Sequence, residues 1–151
     1  MTGAVLAVGG AVAAGVAIGG AIAAWRWRSA TAALVSRLRS EADGASVVSV
    51  SADPLPDPVG RYFRAVLPPD GATLSYARLE QRGEFLARPP DAWRPFTAVE
   101  HFAARPPGFV WDARIRMAPG VSVRVRDGFV SGRGLMSASV MGVLRVAALE
   151  G

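Results

Sequence analysis

A chain of 151 residues without cysteine forms no disulfide, carries no thiolate nucleophile and builds no cysteine zinc site. Its 17 basic residues, all arginine, outnumber 12 acidic ones for a net charge of +5, yet they are spread along the chain without an aromatic-rich motif, which speaks against nucleic acid as a partner. The absence of lysine beside abundant alanine and glycine reads as the bias of a GC-rich genome, so arginine count alone assigns no function.

Gly3 to Trp25 contains no charged residue. As a helix it would reach roughly 34 Å, enough to cross a bilayer core of ~30 Å. The segment is therefore expected to be a transmembrane helix that contacts membrane lipid. The rival is a cleavable signal peptide, with Ala21-Ile22-Ala23 as the cleavage site, but no positive n-region precedes it. Trp25 and Trp27 alternate with Arg26 and Arg28 as an interfacial belt would. Together with Arg37 and Arg39 these arginines favour a single-pass protein whose following domain is cytoplasmic. Ala11, Gly15, Gly19 and Ala23 recur every fourth residue, a smooth ridge suited to a homodimer of packed helices.

Ser29 is placed to cap a short continuation through Glu41, with Leu34, Val35, Leu38 and Ala42 on one stripe and Gly44 ending it. That piece is read as a juxtamembrane connector or a helix on the membrane surface. Val47 to Val50 is a brief strand candidate, and Ser51 to Asp57 a proline-punctuated linker. Asp57 is expected to cap a helix with Pro58 in its first turn. The stripe Val59, Tyr62, Phe63, Val66 and Leu67 on this helix is expected to rest on the sheet, and Pro68 to Gly71 to stop it.

Leu74 to Leu86 reads as a long strand with Gly83 at a bulge or bend. Trp93 to Phe102 reads as a second, of open register. From Phe109 to Met117 apolar residues fall at every second position, and Val121 to Arg126 repeats the pattern. A three-residue loop Ala118-Pro119-Gly120, with Gly120 left-handed, sets Met117 opposite Val121, Ile115 opposite Val123 and Ala113 opposite Val125. A two-residue loop would oppose Ile115 to Arg124. Asp127-Gly128 is then expected to be a second hairpin turn, with Val130 opposite Val125. Gly132 and Gly134 loosen the chain beyond it, and Val140 to Ala148 suits strand or helix.

The same register puts Arg114 opposite Arg124, an unfavourable pair, and Asp112 opposite Arg126, a favourable one, each by roughly 0.2–1 kcal/mol. An anion is expected beside Arg114 and Arg124, either Glu80, Glu84 or Glu100 on a neighbouring strand or a ligand.

The motifs Pro58-Val59-Gly60-Arg61-Tyr62-Phe63-Arg64, Gly83-Glu84-Phe85, Trp93-Arg94-Pro95-Phe96, Pro106 to Arg114 and Val125-Arg126-Asp127-Gly128 resemble, in this order, an uncharacterised bacterial family of unknown function. The resemblance spans Asp57 to Val146. Members often start with a hydrophobic segment and continue past the length of this chain, which the resemblance implies is truncated, with an unpaired sheet edge and an incompletely covered apolar face. It also implies a curved antiparallel sheet of the kind found in lipoprotein carriers. No family activity carries over to any residue.

The expected fold is thus mainly β (α+β): an N-terminal transmembrane helix, then a curved antiparallel sheet with one packed helix, an incomplete half-barrel. Its parts are an anchor over 1–28, a juxtamembrane helix and linker over 29–56, and the β domain over 57–151. The leading function is binding of a lipid or other apolar ligand without catalysis. Its residues would be Trp93, Phe96, Phe102, Trp111, Arg114 and Arg124, on an aromatic sheet lining with basic neighbours. One alternative is a hydrolase using His101 with Glu100 or Asp112 as general base; the other is a structural or protein-interaction module. No cofactor or metal is expected, because one histidine without cysteine does not make a catalytic zinc site, and no phosphate loop or serine-hydrolase elbow is present.

Overall fold

The computed structural model describes residues 2–43, 55–67 and 74–151, with side chains described from residue 14 onward except at 16 and 150. The strand expected at Val47 to Val50, most of the linker after it and the stop at Pro68 to Gly71 lie outside these residues. The elements are α1 (Thr2–Asp43), α2 (Asp57–Val66), β1 (Tyr76–Phe85), β2 (Arg94–Ala103), β3 (Gly108–Ala118), β4 (Val121–Val130), β5 (Arg133–Val140) and β6 (Leu144–Glu150). The strands form one antiparallel meander in the order β1-β2-β3-β4-β5-β6, open at both edges. It is mainly β, as its alternating apolar pattern dictates, in one open six-stranded sheet.

Arg114 pairs with Arg124, Asp112 with Arg126, Ile115 with Val123 and Ala113 with Val125, as the alternation requires. The turn itself differs. Ala118 pairs with Val121 around Pro119-Gly120, and a bulge at Met117 absorbs the odd residue, so Met117 does not face Val121. Gly120 is left-handed, with φ +76°.

Asp127-Gly128 is no turn. β4 continues through it, with Gly128 between Val110 and Leu135 and Val125 opposite Ala138. A Cβ on Gly128 would stand 3.0 Å from the Phe109 carbonyl oxygen, so this glycine serves close backbone approach in a central strand. The hairpin forms instead at Ser131-Gly132, both at positive φ (54° and 75°), with Val130 paired to Arg133. Two successive left-handed residues give the twist that a two-residue hairpin needs. Gly83 makes no bulge either: it pairs with Phe96 in unbroken register, and an added Cβ would lie 3.2 Å from the Phe96 ring. The Val140 to Ala148 stretch divides between β5 and β6.

The sheet has two unlike faces. One carries Ala77, Leu79, Gln81, Phe96, Phe102, Phe109, Trp111, Ile115, Phe129 and Met136; the other carries Arg78, Glu80, Arg82, His101, Val110, Asp112, Arg114, Arg124, Arg126 and Val130. The helix lies on the second face. α1 runs unbroken through Ser29, which caps nothing, and its stripe Leu34, Val35, Leu38 and Ala42 packs on Ala103, Val110 and Val130. Leu38 is 1 % exposed and Val110 0 %. The stripe is therefore core, where a connector or a membrane-surface helix was expected. From Trp27 to Ala42 the helix spans roughly 22 Å at 1.5 Å per residue, enough to cross β2, β3 and β4, the strands it contacts most.

α1 takes the place expected for the Asp57 helix. On α2, Val59, Tyr62 and Val66 are exposed and only Gly60 is buried, so its stripe does not rest on the sheet. Pro56, not Asp57, is its N-cap, and Asp57 instead accepts from Arg61 at 2.6 Å. Among the described residues no helix is long and apolar enough to cross a membrane, so the structure lends the transmembrane reading of Gly3 to Trp25 no support. Of the expected Ala11, Gly15, Gly19, Ala23 ridge, the side chain of Ala11 lies outside the described residues.

Candidate functional site

Three arrangements on the sheet can carry chemistry. The first is the junction between α1 and the polar face. Trp27 Nε1 donates to both Asp112 oxygens, at 3.0 and 3.1 Å. The Thr31 hydroxyl donates to Asp112 Oδ2 at 2.7 Å and accepts from Arg126 Nε at 2.9 Å, while Arg126 Nη2 donates to the Trp27 carbonyl oxygen at 2.7 Å. The Arg126 guanidinium also stacks 4.3 Å from the Trp27 ring centroid, a cation–π contact that burial strengthens. Arg126 is only 7 % exposed; burial lowers its pKa and the Asp112 charge opposes that shift. The site is a closed clasp in which Asp112 is the counter-charge to a buried guanidinium. Trp27, expected in an interfacial belt, is instead buried here.

The second arrangement is a cross-strand row. Register places Arg82, Thr97, Arg114, Arg124, Ser139 and Arg145 side by side from β1 to β6 on the polar face. A depression of about 420 Å³ opens over its β1–β4 part, lined also by Glu80, Val99 and Asp112. Among the described residues no carboxylate lies within ion-pair distance of these four arginines. Glu80 pairs with Arg78 at 2.9 Å. Glu100 stands on the opposite face and Asp112 is committed to Trp27 and Thr31. The expected neighbouring carboxylate is therefore not the partner of Arg114 or Arg124; Arg114 Nε donates to Ser122 Oγ at 3.1 Å instead.

The third is the apolar face, over which no helix packs among the described residues. Phe85 and Phe96 meet edge to face with centroids 6.4 Å apart, Phe96 and Trp111 are tilted at 6.2 Å, and Phe102 and Phe109 at 6.4 Å. Polar groups interrupt this surface: Trp111 Nε1 donates to Gln81 Oε1 at 2.8 Å and Gln81 Nε2 to Glu100 Oε2 at 2.6 Å, and register sets Asp127 between Trp111 and Met136. Phe96, Phe102 and Trp111 thus share a face, Arg114 and Arg124 share the other, and Trp93 sits exposed just before β2. The six ligand candidates do not converge on one pocket.

The hydrolase candidates separate as well. His101 is hydrogen-bonded through Nδ1 to the Tyr76 hydroxyl, not to a carboxylate. Tyr76 in turn lies 4.5 Å under the Arg39 guanidinium. His101 shares a cavity of about 310 Å³ with Asp112, Thr31, Val35 and Arg78, while Glu100 faces away from it. Burial lowers the His101 pKa, helped by Arg78 and Arg39 and opposed by Asp112. A group held neutral in the fold binds a proton more readily when unfolded, so its contribution is complete above about pH 6.5 and is lost as pH falls from there through the folded pKa. A His101→Gln chain is expected to show a flatter melting temperature between neutral and mildly acidic pH than the parent, measured by thermal unfolding at a series of pH values.

Sequence reasoning missed Thr31 and Gln81. The signal for Thr31 was present, because Trp27, Thr31, Leu34, Leu38 and Ala42 continue one helical stripe. Nothing local marks Gln81, whose role depends on Trp111 two strands away.

A family model matches residues 53–151, and its description is a family of unknown function, DUF6920. No curated protein and no solved structure matches the chain.

Proposed function

The chain belongs to the DUF6920 family of unknown function, and from that premise we propose that it is a membrane-anchored domain that holds an acyl chain or similar amphiphile on the apolar face of its sheet, without covalent chemistry. The observation that carries this reading is the face itself. Phe102, Phe129, Leu79 and Met136 stand exposed on it, around the Phe96–Trp111 pair. Exposed aromatic and aliphatic surface of this kind marks an interaction site. A ligand surface is mostly apolar with a few placed polar groups, and Gln81 with Glu100 supplies them. The Glu100 carboxylate favours a ligand end that donates hydrogen bonds, a hydroxyl or an amine, over an anionic head.

The anchor rests on the uncharged run Gly3 to Trp25. Flanking Arg26, Arg28, Arg37 and Arg39 put the sheet on the cytoplasmic side.

Organic extraction of the purified full chain, followed by mass spectrometry, tests the ligand. A bound amphiphile is expected, with Trp111→Ala weakening its rebinding by about tenfold or more, as loss of a central aromatic anchor does. A chain that neither retains nor rebinds any lipid overturns the reading. The small-residue ridge adds a homodimer: replacing Gly15 and Gly19 with leucine is expected to lower self-association in a membrane two-hybrid assay, since close packing needs small residues there.

A further inference from the structure

Antiparallel meander topology sorts the connections by end. The β1–β2, β3–β4 and β5–β6 connections fall at one end of the sheet, and the β2–β3 and β4–β5 connections at the other. The two ends differ sharply in chemistry. The first exposes Trp93, Met117, Val121, Met141, Val143 and Leu144, with Trp93 at 60 % and Val143 at 66 %. The turns at the other end, Ala104-Arg105-Pro106-Pro107 and Ser131-Gly132, contain no large apolar side chain, while Leu74, at 77 % exposure, and Phe102 and Phe129 stand beside them.

α1 is directed toward the first end. Leu34 and Arg37 lie beside Gly134 and Leu135; Trp27 and Ala30 lie beside Ser137 and Ser139; Gly19 and Ile22 reach Gly142 and Val143. The uncharged N-terminal half of the helix therefore leaves the sheet past the β5–β6 hairpin. The arginine row of Arg82, Arg114, Arg124 and Arg145 flanks the same end, and Arg88, Arg94 and Arg116 stand closer still to its tips. Only Glu84 and Asp91 oppose them there.

We propose that this end of the sheet is a membrane-docking surface: the hairpin tips enter the headgroup boundary of an anionic bilayer and the arginines meet its phosphates, beside the point where α1 enters. Exposed apolar tips rimmed by arginine are the arrangement that partitions to such an interface. An anionic leaflet also satisfies the row, whose like charges repel one another and find no carboxylate within the described residues. The inference rests on the anchor reading but not on the ligand reading.

Because the chain has no cysteine, single-cysteine variants can be labelled without background. Trp93→Cys and Val143→Cys report from the tips, and Ala104→Cys from the opposite end. Each full chain is labelled with an environment-sensitive fluorophore and reconstituted in vesicles of phosphatidylcholine, with or without phosphatidylglycerol. Both tip labels are expected to shift to the blue and to be quenched by spin-labelled lipid, more strongly with phosphatidylglycerol, while the Ala104 label stays in water. Adding Arg114→Gln and Arg124→Gln removes repulsion within the sheet and should weaken the dependence on phosphatidylglycerol. Tip labels that stay in water while the chain floats with the vesicles overturn the docking surface alone. A chain that does not float with vesicles overturns the anchor and the docking surface together.

Discussion

An Asp112→Ala chain is expected to lose about 1–3 kcal/mol of folding stability, the cost of leaving the Trp27 indole and the buried Arg126 guanidinium without the carboxylate that faces them. Among the described residues the carboxylate accepts from the Trp27 indole and, on the sheet side, from the Thr31 hydroxyl, and its charge offsets Arg126 across the strand pair. Alanine leaves a guanidinium at 7 % exposure without its counter-charge. Arg126→Met alone is expected to cost less, because the methionine stem keeps the contact with the Trp27 ring while a carboxylate beside α1 can be reached by water. Asp112→Leu combined with Arg126→Met is expected to recover most of the loss, as replacing both partners of a polar contact by apolar groups of similar shape does. Urea titration read by tryptophan fluorescence checks this, with Trp27 reporting the broken contact. A drop under 1 kcal/mol for Asp112→Ala would show that the clasp does not hold the helix to the sheet.

Leu38→Ala is expected to cost about 2–5 kcal/mol. Leu38 is the largest fully buried side chain of the small cluster it forms with Ala42, Ala103, Val110 and Val130, with Leu34, Val35 and Tyr76 packed against it from the flanks. A Cβ on Gly108 would stand 2.7 Å from the Leu38 side chain and 2.7 Å from the Phe129 carbonyl oxygen. The backbone of β3 is thus drawn close beneath Leu38, and the site cannot collapse further without moving a strand. Val146→Ala, on the exposed surface of β6, serves as the control and is expected to stay within about 0.5 kcal/mol of the parent. If the two substitutions cost the same, α1 is not the cover of the core.

Period-2 alternation from Phe109 to Arg126 was enough to set Asp112 opposite Arg126 and Arg114 opposite Arg124, because a slip of one residue would turn every side chain to the wrong face. It was not enough to find the turns. Asp127-Gly128 carries a strong hairpin signature, yet β4 runs through it, paired on both sides, and the close Phe109 carbonyl favours a residue without a side chain there. Ser131-Gly132, a plainer dipeptide, makes the turn. Local propensity was outweighed by packing across three strands.

The candidate site was legible only in pieces. Alternation names the aromatic set and the arginine set separately, but the distance between faces is a property of the assembled sheet. His101 and Glu100 were bound to part, being adjacent on one strand. Whether His101 would meet Asp112 depended on α1, whose Trp27 and Thr31 occupy the carboxylate first.

By itself the sequence determined the register of β3 on β4, with Asp112 opposite Arg126, the apolar helical stripe ending at Ala42 and the uncharged run before Trp25, since each follows from a repeat that the backbone must obey. Tertiary structure decided which helix covers which face. α1 and the Asp57 helix both carry an apolar stripe, and only the shape of the sheet, with β3 drawn in at Gly108 and Asp112 exposed to capture Trp27, gives the place to α1 and leaves the aromatic face open.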